Sequence, residues 1–555
     1  MNETLCWEKH RHIIIPVILF LALLSFSAAF LPPEAVWITD NGNKLMIMHN
    51  FLDNGTIYFD HASPENFPKG GFHFQTLDNG RTVSFHSPYL PVLTALLYRI
   101  TGSFSTTLIP ALSMTGIAVL LLLFPGRKRW QFFMLAATPL IFYSFLLWEM
   151  VPAALAVTLT AWCFFRKRFT LAGIFFGCGV WMREELYLLG FTLLIALTVK
   201  RQWRIILKFA LGAIIPVLTL WITNFLLFGH IAGVHGSTYF INNRTEKLTL
   251  LLWGKEVLFN FYQHLVRFET LPGLWSWIVA AAGTVPLLCA GFAPEYTSWK
   301  KFKLIAGTLF ALGTTILAIA LWRHDDYLMI CIYTAGLLLS VPVLAGFFLN
   351  FRALLRDRHG FVSLAAMTVL IYILSIAFLL NPNDPGLTWG ARHFIIIMPL
   401  MLILGNYALV RAGFFKNFHA QNLLALCCIA GIIMQIYAIS ALIKVAGDAE
   451  FLQNEILSLP NDTLLSDIFF LPEMTPLIPS AKTQLEIAND RQFAAAMEYL
   501  QNTGTDSFIL ILSPDYRRMS NENLAILLNA YPPRMRPRPV IIGNSLRFLI
   551  TVCSR

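Results

Sequence analysis

Charge is what this sequence has least of. Of its 555 residues, 13% are Asp, Glu, Lys or Arg, against ~25% in an ordinary soluble protein. That shortage excludes a soluble multidomain enzyme. It also excludes disorder, which needs high charge and low hydrophobicity. Metal-type cysteine spacing is missing too. Cys163, Cys178, Cys289, Cys331, Cys427 and Cys428 lie inside apolar runs, and Cys6 and Cys553 lie near the termini. No Cys-x-x-Cys is present, which argues against a zinc site or a disulfide framework. The cysteines read as small packing residues. No internal repeat, low-complexity tract or inverted repeat of the transporter kind is visible.

What is there is apolar. The chain is 57% hydrophobic and 14% aromatic, with a mean hydropathy of +0.63. It reads as an all-α polytopic membrane protein. A spanning helix needs about 20 apolar residues. About thirteen candidate spans follow from that length: 13–31, 105–125, 131–148, 151–165, 169–182, 186–200, 205–228, 272–293, 304–321, 328–349, 361–380, 394–410 and 421–445. The first is too long for a signal-peptide core and has no clean cleavage site, so it reads as a retained span.

The net charge of +10 raises nucleic acid as a partner, but the basic residues are placed otherwise. Lys9 and Arg11, Arg127–Arg129, Arg166–Arg168, Lys200–Arg204, Lys300–Lys303, Arg352–Arg358 and Arg411–Lys416 fall on one side of the expected topology. The short loops of the other side hold Arg183, Arg323 and Arg392. The positive-inside rule puts the N-terminus in the cytoplasm, and an odd span count puts the C-terminus outside. The charge is a record of orientation, and no nucleic acid is expected. The expected setting is a multi-pass protein of a bacterial inner or plasma membrane, among membrane lipids.

Two domains follow: residues 1–445 as the transmembrane module and 446–555 as a small extracytoplasmic α/β domain. The module carries two outer loops, 32–104 and 229–271. In the tail, 482–502 is helix-like, and 507–512 and 540–542 are strand-like.

The first outer loop is the richest in signals. Residues 41–54 read as an amphipathic helix along the membrane surface, stopped at Asn54–Gly55. Asp40 stands at its start, as an N-cap, as a chemical group, or as both. A hairpin is expected around Asp78–Asn79–Gly80. Ser87-Pro-Tyr89-Leu-Pro91 then opens a short interfacial helix, 89–101.

This order resembles the GT-C superfamily of polyprenyl-phosphate-sugar-dependent membrane glycosyltransferases, in particular its protein O-mannosyltransferase-like and aminoarabinose transferase-like members. Thr138-Pro-Leu-Ile-Phe-Tyr143 with Trp148–Glu149, Gly179-Val-Trp-Met-Arg183-Glu-Glu185, and Thr388-Trp-Gly-Ala-Arg392 with Met398–Pro399 are similar to further family segments. The likeness runs over about 32–400. It departs at three positions: Asn41 stands where many members have a second acid, Met150 where a histidine is common, and Ala391 where proline is usual.

The resemblance implies inverting sugar transfer at the outer face, from a polyprenyl-phosphate-linked sugar to a hydroxyl on a lipid, glycan or protein. It makes Asp40 the general base. Lys44, one turn on, Arg392, with its bidentate guanidinium, and Arg183 are the phosphate-binding candidates. Lys44 has snorkelling as an alternative, and Arg392 interfacial anchoring. His86, Tyr89, Glu149 and Trp389 are acceptor or sugar candidates, with structural pairing the alternative for Glu149 and Arg183. No cofactor is called for. A divalent metal is possible, at His324-Asp325-Asp326, but not favoured, because the first loop has no Asp-x-Asp. Two other readings stay open: a flippase or transporter of lipid-linked sugars, and a catalytically inactive scaffold of the same fold, which Asn41 keeps in play.

Overall fold

The computed structural model describes residues 3–59, 74–77, 79–234, 250–293, 297–328, 334, 336–379, 389–515 and 517–555. Asp78, Thr388, Cys331 and residues 235–249 of the second loop fall outside these.

Helices dominate, as the apolar runs require. They include α1 (Glu3–Phe30), α2 (Thr39–Asn54), α3 (Tyr89–Thr101), α4 (Ser105–Leu123), α5 (Lys128–Ala136), α6 (Leu140–Tyr143), α7 (Met150–Phe165), α8 (Phe169–Met182), α9 (Glu185–Val199) and α10 (Trp203–Phe228). Later come Leu274–Phe292, Thr297–Leu321, Gly360–Leu379, Met398–Arg411 and the 41-residue helix Phe418–Ser458. Among the described residues, seven helical stretches are long and apolar enough to cross a membrane, and four shorter apolar helices accompany them. On α10, Leu211, Ile215, Ile222, Phe225 and Leu226 are exposed. A row of bare aliphatic and aromatic side chains is stable against lipid and not against water. The chain is an integral multi-pass membrane protein.

The spans differ from the expected set in three places. The 131–148 run is broken into α5 and α6, with Pro139 between them. Its side chains are nonetheless core: Leu140, Phe142, Tyr143 and Trp148 are buried. The 328–349 run holds Leu337–Ser340, a 3-10 turn at Pro342–Leu344 and Ala345–Leu349, because a proline cannot continue the hydrogen-bond ladder. The expected interfacial helix 89–101 leads into α4 through one 3-10 turn, at Gly102 with φ +61.

Several helices run between two ends of the bundle. α7 leads from Glu149 to Arg166, α8 from Arg168 to Arg183, α9 from Glu185 to Lys200, and Met398–Arg411 leads from the Arg392 turn to Arg411. One end therefore gathers basic loops. There Arg127 lies over the Phe415 ring, Lys200 Nζ donates to Ser363 Oγ at 2.8 Å, and Arg411 pairs with Asp357. The other end gathers Asp40, Glu149, Arg183 and Arg392.

That second end is covered by the first loop and the tail. The hairpin is present: β2 (Phe74–Thr76) and β3 (Thr82–Ser84) pair antiparallel, with β1 (Tyr58–Phe59) on the other edge of β3. The tail holds β4 (Thr463–Ser466), β5 (Thr483–Glu486), β6 (Ser507–Leu512), β7 (Arg538–Ile542) and β8 (Leu546–Ser554), in the order β5-β4-β6-β8-β7. β5, β4 and β6 are parallel; β8 and β7 are antiparallel additions. Helix Asp490–Asn502 is where the 3.6-residue period predicts it. Residues 483–486 ahead of it are strand rather than helix, since edge pairing with β4 overrides the local pattern. Leu464, Ile509, Val540 and Phe548 join the same apolar core as the bundle helices.

Candidate functional site

The site begins with an inconsistency in α2. Read as a surface helix, it would keep Asn41, Asn43 and Lys44 in water. The structure buries all three, with Lys44 1% exposed. α2 is enclosed by α3, the hairpin, the end of the α6–α7 segment and the tail. Its polar groups find partners there. Asn41 Oδ1 accepts from the Trp37 amide at 2.9 Å, and its Nδ2 donates to the Leu147 carbonyl at 3.4 Å. Asn43 takes the Ser84 hydroxyl, and Asn50 donates to the carbonyls of Thr56 and Tyr58. Surface lying and lysine snorkelling are thereby both corrected. Capping is corrected as well. The N-cap is Ile38, and Asp40 sits inside the first turn. The stop at Gly55 is as expected, left-handed with φ +67, a conformation that suits glycine.

From that turn Asp40 joins a circuit of charged groups, linked in part through its own backbone carbonyl. Arg392 Nη1 donates to Asp40 Oδ2 at 3.2 Å. Lys44 Nζ donates to the Asp40 backbone carbonyl at 3.1 Å, stands 3.4 Å from Glu149 Oε2 and lies 5.2 Å from the Trp148 ring centre. Arg183 Nη1 reaches Glu149 Oε1 at 3.4 Å, and its Nε reaches Glu185 Oε2 at 2.9 Å. Glu185 Oε1 is 3.7 Å from His393 Nδ1, next in sequence to Arg392. Three acids (Asp40, Glu149, Glu185) and three cations (Lys44, Arg183, Arg392) thus line one cavity, with His393 beside Glu185. In the poorly solvated interior each charge needs such a partner.

The cavity is lined by Asp40, Lys44, His86, Tyr89, Glu149, Arg183 and Arg392, all expected from sequence. They come from five separated segments. His86 Nε2 faces Asp40 Oδ1 at 3.7 Å. Tyr89 donates its hydroxyl to Asn224 Oδ1 and packs on Trp181, ring centres 4.7 Å apart. Trp389 is not brought to this cavity. It is 1% exposed, and its Nε1 donates to Gln435 Oε1 at 2.9 Å within the core. A tryptophan with its one donor satisfied internally is a packing residue.

Other lining residues carried weaker signals. Trp181 lies in the segment that supplies Arg183. Asn224, a single amide in the apolar α10, also bonds the Ile231 carbonyl at 3.0 Å. Glu185 stands beside Arg183 in sequence and proves to be its principal partner. His324 Nε2 is 2.7 Å from the Thr270 carbonyl. Among the described residues no group of three His, Cys, Asp or Glu is placed to hold a metal ion.

No protein-family model matches the chain, and no curated protein matches it. Among solved structures, it is similar to ArnT from Cupriavidus metallidurans bound to undecaprenyl phosphate, with a TM-score of 0.41 and 14% identity over 98% of each chain. The apo form of the same protein gives 0.41 and 13% over 97% of each.

Proposed function

We propose that the protein is a membrane glycosyltransferase that moves a sugar from a polyprenyl-phosphate carrier to an acceptor hydroxyl, with inversion at the anomeric carbon. One observation carries the reading. Seven residues chosen from sequence for this chemistry, from segments as far apart as 40 and 392, line a single cavity at one end of a membrane bundle.

Asp40 is the general base. Its carboxylate takes the proton of the acceptor hydroxyl as that oxygen bonds to the anomeric carbon. The bond from the anomeric carbon to the phosphate oxygen breaks, and the polyprenyl phosphate leaves with the electron pair. Arg392 meets the phosphate charge. Lys44 orients the first turn of α2 through the Asp40 carbonyl. Arg183, held between Glu149 and Glu185, supplies a second positive wall. His86 and Tyr89 border the acceptor side. This reading places residues 1–445 in the membrane module and 446–555 outside it. The N-terminus is cytoplasmic and the cavity faces away from the cytoplasm, by the charge of the opposite loops. The charged residues of the circuit sit at helix ends, where a transferase needs them, rather than mid-span as in a carrier.

The test is transfer from a panel of radiolabelled polyprenyl-phosphate sugars, with purified protein in lipid. Asp40→Asn is expected to abolish transfer while leaving the protein folded and inserted. Full activity in that variant would remove the base assignment.

A further inference from the structure

We propose that Glu473 is a positioning residue of this site, delivered by the C-terminal α/β unit onto the turn of α2 that carries Asp40. The proposal rests on the reading of Asp40 as the base. Glu473 belongs to the short helix Leu471–Met474, which packs on α2. Its backbone carbonyl lies against Gly42, so that a Cβ at position 42 would fall on the carbonyl oxygen. Glycine is needed there for close approach, not for an unusual φ. The contact seats the tail two residues beyond Asp40.

The side chain is the second observation. Glu473 is 0% exposed, and neither carboxyl oxygen has a hydrogen-bond partner beyond its own residue among the described residues. Packing alone does not call for such a group, since an apolar side chain would fill the space without the cost of an unmet acceptor. Its charge state is the property that an apolar residue lacks. Burial first, then the nearby carboxylates of Glu486 and Asp40, push Glu473 up to about 8. The other titratable groups of α2 are engaged or distant: Lys44 faces Glu149, His49 pairs with Glu34, and Asp53 lies at the far end of the helix. At neutral pH, Glu473 is therefore mostly a neutral carboxyl near the proposed base. Ionised, it would set a second negative charge near Asp40 with no cation of its own among the described residues, and would loosen the first turn of α2.

The full-length protein in lipid provides the test, with Gly42→Ala, Glu473→Gln and the control Gly447→Ala, whose Cβ meets nothing. Hydrogen exchange in Gly42→Ala is expected to rise at least tenfold in residues 39–45 and 471–474 together, and not in the control. The parent's turnover should fall above about pH 8, and Glu473→Gln should lose that limb or move it by a full pH unit. A merely structural Glu473 would lower turnover at every pH and leave the limb in place. Unchanged exchange in Gly42→Ala, or an identical limb in Glu473→Gln, overturns the proposal. Should Gly42→Ala not insert, melting temperatures decide. The folded state holds the proton, so the parent should lose stability as pH rises from about 5 to 8, and Glu473→Gln should lose less. Coincident melting profiles overturn it. If the parent transfers no sugar from any donor, the reading of the function fails, and the exchange and melting results still judge the seating of the tail.

Discussion

Arg392 Nη1 donates to Asp40 Oδ2 at 3.2 Å, joining residues 352 positions apart in the chain. On the proposed function, the phosphate clamp and the base hold each other before any donor arrives, and a phosphate that takes Arg392 would release the carboxylate for its work. Donor binding would then prepare the base, and the acceptor would follow.

Removing the rival carboxylate should therefore help the donor bind. Asp40→Asn is expected to tighten polyprenyl-phosphate binding by about threefold to tenfold, at most ~1.4 kcal/mol, while transfer is lost. Arg392→Ala should weaken binding at least about tenfold. Titration calorimetry in nanodiscs reads both. Equal affinity of parent and Asp40→Asn would show that the two residues do not compete.

Lys44 is a buried cation, and its loss should cost more than a surface lysine's. Lys44→Met leaves Glu149 with Arg183 alone and the Asp40 carbonyl without its donor. A stability loss of about 3 kcal/mol is expected, with transfer down at least tenfold. Thermal melting and the radiolabel assay check it. Lys44→Arg is not expected to rescue, because a planar guanidinium does not reproduce the ammonium's placement between the Asp40 carbonyl and Glu149.

Membrane orientation can be read by labelling. Asp53 and Lys128 are both exposed, at opposite ends of the bundle. An impermeant maleimide added outside intact cells should label Asp53→Cys and not Lys128→Cys. Gly126 is a poor site for this purpose, since a side chain there meets Asn406. The reverse pattern would invert the topology.

The tail should carry its own pH dependence. Burial pushes Glu486 up to about 7, against which the Gln492 side chain donates a hydrogen bond at 3.0 Å. The folded state keeps the proton that the unfolded chain gives up near its ordinary 4.5. Stability from this group is full below about 4.5 and is lost as pH rises to about 7, on the order of 3 kcal/mol in all. Melting curves of Glu486→Gln should be flatter across that window than the parent's.

Much of the site was legible because its residues break apolar patterns. Glu149, Arg183 and Arg392 each interrupt a long hydrophobic run near a turn, and lipid makes such interruptions costly. Asp40 and Lys44 were legible by their place after the first span. The burial of α2 was not, because its covering comes from the hairpin and the tail, and local periodicity contains neither. Trp389 was misplaced for the same reason: its partner, Gln435, lies 46 positions on. Glu473 carried a signal, a lone acid in Phe469-Phe-Leu-Pro-Glu473-Met, but only the fold shows which helix it meets. The broken helices at 139 and 342 were marked by their prolines, which the hydropathy of the surrounding run masks.

The helix Phe418–Ser458 has 41 residues, a length of ~60 Å, about twice the ~30 Å hydrocarbon core. On the proposed topology, lipid would hold one half of it, and the other half would run on toward β4 as a mast that sets the tail's height above the bilayer. Severing the chain at 445 would cut the mast partway along and strip Val445, Ala449 and Leu452, all buried, of their cover. Pulled or heated, the tail and the bundle are expected to yield as one cooperative unit, with a single transition in calorimetry.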